Sequence, residues 1–250
     1  MHSGFYTIAS GLLAQQRNLD VIGNNLVNAD TPGFRSERMV FTTFQHELMV
    51  RQEAYSRTQI GVGSPITLVD DVVTMHNSGL YQDTGFPFDL AIDGPGYFVV
   101  KGNGDQPFLT RGGQFNMDVD GYLILPGIGK VLGQDNNPIQ VKNALFKVLP
   151  DGTVNNESGR RISTLATVSP PDIKQLERLA NGMYQMKEGA SVGASEGYRI
   201  VQGVVERSNV DYNREMTTFI ETQRAFQACS SAMQMYDAMN RRAASTIASV

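Results

Sequence analysis

The start of the chain carries an apolar seam that constrains the fold more than any other stretch. Its members recur at alternating spacings of three and four residues, with one polar member, and are Phe5, Ile8, Leu12, Gln15, Leu19, Ile22 and Leu26. This heptad pattern predicts a helix from about Ser3 to Val27 with one apolar side. The helix ends at a turn over 30–34, where Pro32 and Gly33 suit the second and third positions of a type II turn.

The end of the chain carries a second and broader apolar stripe at helical spacing. It consists of Met216, Phe219, Ile220, Phe226, Cys229, Met233, Tyr236, Met239, Ala243 and Ile247. Ser208 to Asp211 supply capping residues just before it. The pattern predicts a C-terminal segment, 199–250, that is mainly helix.

Between the two stripes, residues 80–198 alternate short apolar segments with turn residues, which predicts a mostly antiparallel β-rich domain. The predicted turns include Gly94 and Gly96, Asn103-Gly104 as a hairpin turn, and Gly121. Residues 35–79 show a weaker pattern and are predicted as a linker, partly extended, in which some helix is also compatible with the sequence. With the N-terminal helix and turn at 1–34, the predicted fold class is α+β.

Each terminal helix has an apolar side that needs a partner, because packing of that side supplies most of a helix's stability. In one arrangement the two helices pair as a coiled coil, which leaves apolar residues of the second stripe for other copies of the chain. In the other, both helices cover the β domain within a monomer. Spacing alone leaves both arrangements open.

Composition excludes several classes of protein. The net charge of −4 and the lack of a basic stripe argue against a nucleic-acid partner. No apolar run reaches the roughly 18 residues that span a bilayer, so no integral membrane segment is predicted. The N-terminal apolar run has no lysine or arginine before it, so no cleaved signal peptide is expected. The low charged fraction, 18%, is compatible with a surface that neighbouring molecules cover.

No pattern of catalytic or ligand-binding residues emerges, and we predict no enzyme activity, no metal and no cofactor. The run Asn116–Gly121 begins like a calcium loop, but the twelfth position is Gly127, where a bidentate glutamate is required. Gly94-Pro95-Gly96 is followed by no helix, which favours a β-turn over a nucleotide loop. The histidines have no metal-ligand spacing and are His2, His46 and His76.

Three stretches, in order and covering nearly the whole chain, resemble the flagellar rod and hook family of axial proteins. The first runs from Ala9-Ser10-Gly11 through Asn24-Asn25-Leu26 to Thr31-Pro32-Gly33-Phe34. The second runs from Asp89-Leu90-Ala91-Ile92-Asp93-Gly94-Pro95-Gly96-Tyr97-Phe98 to Asp120-Gly121-Tyr122-Leu123. The third comprises Ser208-Asn209-Val210, Glu215-Met216 and Glu221-Thr222-Gln223-Arg224-Ala225-Phe226. The length resembles the proximal or distal rod proteins.

The resemblance implies a structural subunit of the flagellar basal-body rod. Such a subunit is exported by the flagellar type III apparatus without a cleaved signal peptide. It polymerises in the periplasm with itself and other rod and hook axial proteins. Its terminal helices form a coiled-coil layer, and the helical tube transmits torque. The alternatives are a secreted β-rich carbohydrate-binding or adhesive protein with helical flanks, and a hydrolase, for which no acid/base pair can be located.

The residues predicted to form the assembly interface are Phe5, Ile8, Leu12, Leu19, Ile22, Asn24, Asn25, Leu26, Asn28, Met216, Phe219, Ile220, Gln223, Phe226, Met233 and Tyr236. The predicted structural turns are at Pro32, Gly33, Gly94, Gly96 and Gly121. For the three asparagines near the end of the first helix, the sequence leaves two interpretations: hydrogen bonds across subunits, or fraying before the turn.

Overall fold

The computed structural model describes residues 2–43, 47–53, 56–63, 67–102, 107–170, 175–179, 182–187, 193–195 and 197–248. The helices are α1 (His2–Val27) and α2 (Tyr212–Ala248). The first ten strands are β1 (Glu37–Thr43), β2 (Glu47–Glu53), β3 (Ser56–Gly63), β4 (Thr67–Thr74), β5 (Tyr81–Asp83), β6 (Leu90–Asp93), β7 (Tyr97–Lys101), β8 (Pro107–Thr110), β9 (Asn116–Met117) and β10 (Leu123–Leu125). The others are β11 (Gly129–Val131), β12 (Lys147–Val148), β13 (Thr153–Asn155), β14 (Arg161–Thr164), β15 (Thr167–Ser169), β16 (Leu176–Arg178), β17 (Tyr184–Met186), β18 (Gly193–Ala194), β19 (Arg199–Gln202) and β20 (Val204–Glu206).

The α+β class is confirmed, with a helix at each end and a β-rich middle. Helix α1 matches the predicted Ser3–Val27 to within a residue. Helix α2 begins later than the predicted segment, because β19 and β20 occupy most of 199–206. Its N-cap is Asp211, whose carboxylate accepts hydrogen bonds from the backbone N–H groups of Asn213 at 3.1 Å and Arg214 at 3.2 Å.

The sequence predicts a partly extended linker at residues 35–79. In the structure, the described part of this segment contains four strands in two antiparallel pairs. Strand β1 pairs with β4, and β2 pairs with β3. Each pair contains a register shift, between Val40 and Phe41 in β1 and between Met49 and Val50 in β2. Such a bulge interrupts the period-two alternation of side chains, which explains why the sequence pattern is weak here. The division of the chain into domains 1–34, 35–79, 80–198 and 199–250 stays a prediction.

The chain forms two compact units, and the first consists of α1, α2 and β1–β4. The end of α1 is bound to the start of β1 through the amide of Asn25. This amide donates to the carbonyl oxygen of Glu37 at 2.8 Å and accepts from the N–H of Glu37 at 2.9 Å. Asn25 is only 1% exposed. Its side chain therefore supplies the pair of hydrogen bonds that a neighbouring strand would otherwise make with Glu37.

The second unit consists of residues 28–35 and strands β5–β20. Its largest sheet runs β16-β17-β8-β7-β11-β10-β9, and β15 joins it by pairing with β7 and β18. Strands β12–β14 form a second sheet, and β19–β6 and β20–β5 form two-stranded ones. All pairings of the described strands are antiparallel, as predicted. Strands β7 and β8 form the predicted hairpin, whose Asn103-Gly104 turn lies outside the described residues.

The predicted turn after α1 belongs to this second unit and is held by backbone hydrogen bonds. The N–H of Phe34 donates to the oxygen of Thr31 at 3.2 Å, and Gly33 has φ +71°. The N–H of Gly33 donates to the oxygen of Glu206 at 2.8 Å. A side chain at Gly33 would begin 2.3 Å from the backbone of Arg111, so only glycine fits here.

A buried ion-pair cluster fixes this turn to the sheet. The carboxylate of Glu206 binds Arg35 at 2.7 Å and Arg111 at 3.3 Å, and these side chains are 0%, 1% and 7% exposed respectively. Arg111 also donates to the carbonyl oxygens of Ile92 at 2.9 Å and Gly94 at 2.6 Å. Burial lowers the pKa of Arg111, against the opposing effect of Glu206. One carboxylate therefore compensates two guanidinium groups in the interior of this unit.

His76 lies near the guanidinium groups of Arg35 and Arg178. Its Nδ1 is 3.2 Å from the hydroxyl of Tyr97, and its ring packs 6.0 Å from that of Tyr184. Burial lowers the pKa of His76 from its ordinary 6.5, and the Arg35 and Arg178 guanidinium groups lower it further. The folded protein therefore holds this ring neutral at pH values where the unfolded chain would protonate it.

We expect Glu206→Gln to lower the free energy of unfolding by about 3–5 kcal/mol, because two guanidinium groups would stay buried without their counter-charge. Urea unfolding followed by circular dichroism measures this difference. The matched control is Asp93→Asn, which removes the partner of Arg199 from a pair whose side chains are 63% and 46% exposed. The control should cost about 1 kcal/mol or less. Equal losses in the two variants would contradict a central role for Glu206.

We expect the free energy of unfolding to fall as the pH drops through 6.5. Below pH 6.5, His76 is mostly protonated in the unfolded state, whereas in the folded state it stays neutral until the pH reaches its lowered pKa. Urea titrations at a series of pH values should show this slope for the native chain and a smaller slope for His76→Gln. The other two histidines remain in the variant, so the difference between the slopes reports His76 alone. Identical slopes would show that His76 does not carry the effect.

Candidate assembly surfaces

Helices α1 and α2 contact each other in an antiparallel arrangement with a regular repeat. The contacting pairs are Gly4–Tyr236, Gly11–Cys229, Asn18–Thr222 and Asn25–Glu215. From one pair to the next, the residue number rises by seven in α1 and falls by seven in α2. Asn18 Nδ2 donates to Thr222 Oγ1 at 3.3 Å, and Asn25 Nδ2 lies 3.4 Å from Glu215 Oε2. The rings of Phe5 and Tyr236 lie 6.2 Å apart at the other end.

On α1 this contact row is built from glycines and amides, and hydrophobic periodicity alone does not find it. A Cβ atom at Gly4 would lie 3.6 Å from the Tyr236 ring, and one at Gly11 would lie 3.9 Å from Cys229 Sγ. Both distances are ordinary van der Waals contacts, so these glycines lie directly against α2. The signal that was present in the sequence is the seven-residue recurrence of small and amide residues, one position before the predicted apolar seam.

The predicted interface residues of α1 differ widely in exposure. Ile22 is 4% exposed and Asn25 is 1% exposed, whereas Phe5 is 38% exposed. The remaining apolar members are partly buried and are Ile8, Leu12, Leu19 and Leu26. Three apolar residues of α1 outside the prediction are more exposed than any of these: Tyr6 at 58%, Leu13 at 59% and Val27 at 83%.

Helix α2 leaves part of its apolar stripe exposed. Among its described side chains, those of residues 212–245, only Thr222 is buried. Met216 is 41% exposed and Ile220 is 42% exposed, while Met235 and Met239 exceed 60%. The remaining predicted members are Gln223, which is exposed, and the partly buried Phe219, Phe226, Met233 and Tyr236. Among the described side chains, exposed apolar residues therefore extend along the helix from Met216 to Met239.

The three asparagines near the end of α1 make bonds within the chain. Asn24 Nδ2 lies 3.4 Å from Glu37 Oε2, and Asn25 binds the backbone of the same residue. Asn28 accepts a hydrogen bond from the Thr31 hydroxyl at 3.2 Å. Neither interpretation from the sequence includes these intrachain partners.

The second unit carries a cavity of about 270 Å³ beside the turn after α1. Its lining is largely apolar and includes Pro32, Phe34, Leu125, Ile128 and Met183. Phe34 and Met183 are buried at 4% and 2% exposure, so part of the wall belongs to the packed interior.

The other predicted turn glycines also have left-handed backbones, with φ +114° at Gly94, +127° at Gly96 and +80° at Gly121.

Within the described residues, no helix is long and apolar enough to cross a bilayer. In the same part of the chain, no three histidine, cysteine or carboxylate side chains gather as a metal site would need.

Three protein-family models match successive parts of the chain. Residues 5–35 match "Flagella basal body rod protein", residues 91–156 match "Flagellar hook protein FlgE/F/G D1 domain", and residues 201–246 match "Flagellar basal body rod FlgEFG protein C-terminal". The three matches follow the order of the three stretches on which the sequence resemblance rests.

Curated relatives match over almost their whole length. The chain is 30% identical to the flagellar basal-body rod protein FlgF of Caulobacter vibrioides over 248 residues, which cover 97% of each chain. It is 30% identical to the flagellar basal-body rod protein FlgG of Bacillus subtilis, over 95% of this chain and 96% of the relative. It is 27% identical to the flagellar hook-basal body complex protein FlhO of Bacillus subtilis over all of both chains. These matches confirm the resemblance, and the chain belongs to the flagellar basal-body rod protein family.

Proposed function

We propose that this chain is a structural subunit of the bacterial flagellar basal-body rod, polymerising through its terminal helices into the axial drive shaft that transmits torque. The observation that carries the proposal is the match along nearly the whole chain to proteins named for the rod. The β-rich carbohydrate-binding alternative is not favoured, because the family matches include both terminal helices as well as the β-rich middle.

Pairing of α1 and α2 as a coiled coil is part of this proposal. Its support is the seven-residue repeat of their contacts, since a heptad period keeps one side of each helix facing its partner. A row of glycines and amides gives hydrogen bonds but buries little apolar surface. A pair of this kind gains from further helices packed around it.

Those further helices would pack on the exposed apolar residues of α1 and α2. The predicted assembly-interface residues stay proposals, and five of them are exposed in the single chain: Phe5, Asn24, Met216, Ile220 and Gln223. Neighbouring copies and other rod and hook axial proteins are the partners that we assign to this surface. A heterologous contact of this kind repeats without closing and so builds a filament.

The location follows from the family. A rod subunit works in the periplasm, and we propose export through the flagellar type III apparatus without a cleaved signal peptide.

The lone native cysteine allows a direct test of helix pairing. In Gly11→Cys, the new side chain would lie close enough to Cys229 for a disulfide after small rotations of both side chains. We expect mild oxidation to remove both free thiols and to give a monomer of altered mobility on non-reducing gels. The matched control is Gly23→Cys on the same helix, where a Cβ atom has no other group within 4 Å. Equal loss of thiols in the control would show that the helices do not keep this register.

Genetic complementation tests the rod function. A strain without the chain should lack complete rods in electron micrographs and should not swim, and the native chain should restore both. Ile220→Asp should fail to restore them, since a charge would stand in the apolar surface used by neighbours, while Ile220→Leu should succeed. Because Ile220 is 42% exposed, the aspartate should lower the free energy of unfolding by only about 1–2 kcal/mol, the part of a buried isoleucine's contribution that is lost. Normal rods in the deletion strain would refute the proposed function.

A further inference from the structure

Helix α1 carries a second row of residues at seven-residue spacing, on the side away from α2. Each member follows a residue of the α2 contact row by two positions, so that this outer row consists of Tyr6, Leu13, Asp20 and Val27. Two residues turn an α-helix by about 200°, which places the outer row nearly opposite α2. Its three apolar members are the most exposed large apolar residues described in α1, at 58%, 59% and 83%.

This spacing is typical of a seam between helices. A row that recurs every seven residues stays on the side that faces a partner helix. The α2 of the same chain contacts the opposite side of α1, so it cannot also cover the outer row. A helix that covers this row therefore comes from another molecule.

Helix α2 carries an outer row of the same kind, again two positions after its contact residues. Its members are all exposed, and they are Thr217, Arg224, Ser231 and Ala238. Apart from the arginine, these side chains are small. Larger apolar residues with exposures of 41–62% flank the two ends of the row, and they are Met216, Ile220, Met235 and Met239. Small residues between larger ones leave room for the side chains of a second helix.

The two outer rows match in one antiparallel register. When Asp20 faces Arg224, the remaining pairs are Tyr6–Ala238, Leu13–Ser231 and Val27–Thr217. Each large apolar residue then meets a small one, and the one acid meets the one base. A shift of seven residues in either direction places Arg224 against Leu13 or Val27 and leaves Asp20 without a cation. The distribution of size and charge therefore favours a single register.

Charge also decides which helix fits. In the described part of the chain neither Asp20 nor Arg224 forms an ion pair, and both side chains are exposed. The α1 helix of a second copy is a poor partner for the outer row of α1. A parallel pair would place Asp20 against Asp20, and an antiparallel pair would place Asp20 against Leu13. The complementary helix is the α2 of a second copy.

We propose that the outer row of α1 in one copy packs antiparallel against the outer row of α2 in a second copy, with Asp20 opposite Arg224. This contact rests on the proposed rod function, because it is made only when copies assemble. It adds the neighbouring helix and the register to that function. Since each copy offers one row on each helix, the contact is heterologous and repeats from copy to copy.

Exchange of the two charges tests the contact in cells where a variant chain replaces the native one. Asp20→Arg and Arg224→Asp, each alone, should lower the number of complete rods in electron micrographs about tenfold or more, because like charges then face each other. The double variant should restore rods and swimming. The control combines Asp20→Arg with Arg241→Asp, which lies about 25 Å further along α2, and should not restore them. Normal rods in either single variant, no restoration in the double variant, or equal restoration in the control would refute the contact.

Disulfide trapping tests the register independently of charge. A chain with Leu13→Cys and Ser231→Cys, in a Cys229→Ala background, should give covalent multiples of this chain when isolated basal bodies are oxidised. The control pairs Leu13→Cys with Thr217→Cys, about 21 Å away from Ser231 along α2, and should give none. All of these positions are exposed, so the unfolding curves should stay close to that of the native chain. No excess over the control, or a link only to a different protein, overturns the proposal.

The same strains separate this inference from the rod function. Native rod numbers and swimming in Asp20→Arg refute the contact and leave the rod function standing. Complete rods in a strain without the chain refute the rod function itself.

Discussion

The buried carboxylate of Glu206 is the interaction on which the arrangement of the second unit depends. It binds Arg35, directly after the turn that follows the first helix, and Arg111, directly after β8, and it does so from β20, ahead of the second helix. Three distant parts of the chain therefore meet at one charge. Because an isolated buried guanidinium is far less stable than a paired one, the turn and the strand hold each other in place. The close approach of Gly33 to the sheet depends on this fixed position.

Local signals in the sequence predict the helices and turns well. The apolar spacing of α1, the proline and glycine that end it, and the glycines of the β region act over a few residues, and the structure contains them. The pairing of β1 with β4 was not predictable in this way, since a bulge disrupts its alternation. Nor was the ion-pair cluster, because nothing near Arg35 in the sequence indicates that its partner is Glu206, in a strand near the other end of the chain.

The candidate surfaces show a related limit. Hydrophobic periodicity identifies residues that prefer burial, but it does not tell which neighbour buries them. In α1, the row that meets α2 lies one position from the predicted seam and consists of glycines and amides. In α2, the described members of the predicted stripe are either exposed or only partly buried. A large apolar surface on a long helix is typical of chains that complete their packing with other molecules, in agreement with the family to which this chain belongs.

The composition of the α1–α2 contact row has a further consequence. A contact made of glycines and side-chain amides loses little hydrophobic free energy when it opens, because water can satisfy the amides and little apolar area is exposed. The large apolar groups lie mainly beside this row. We therefore expect this helix contact to open at a lower free-energy cost than a contact of the same length made of large apolar side chains.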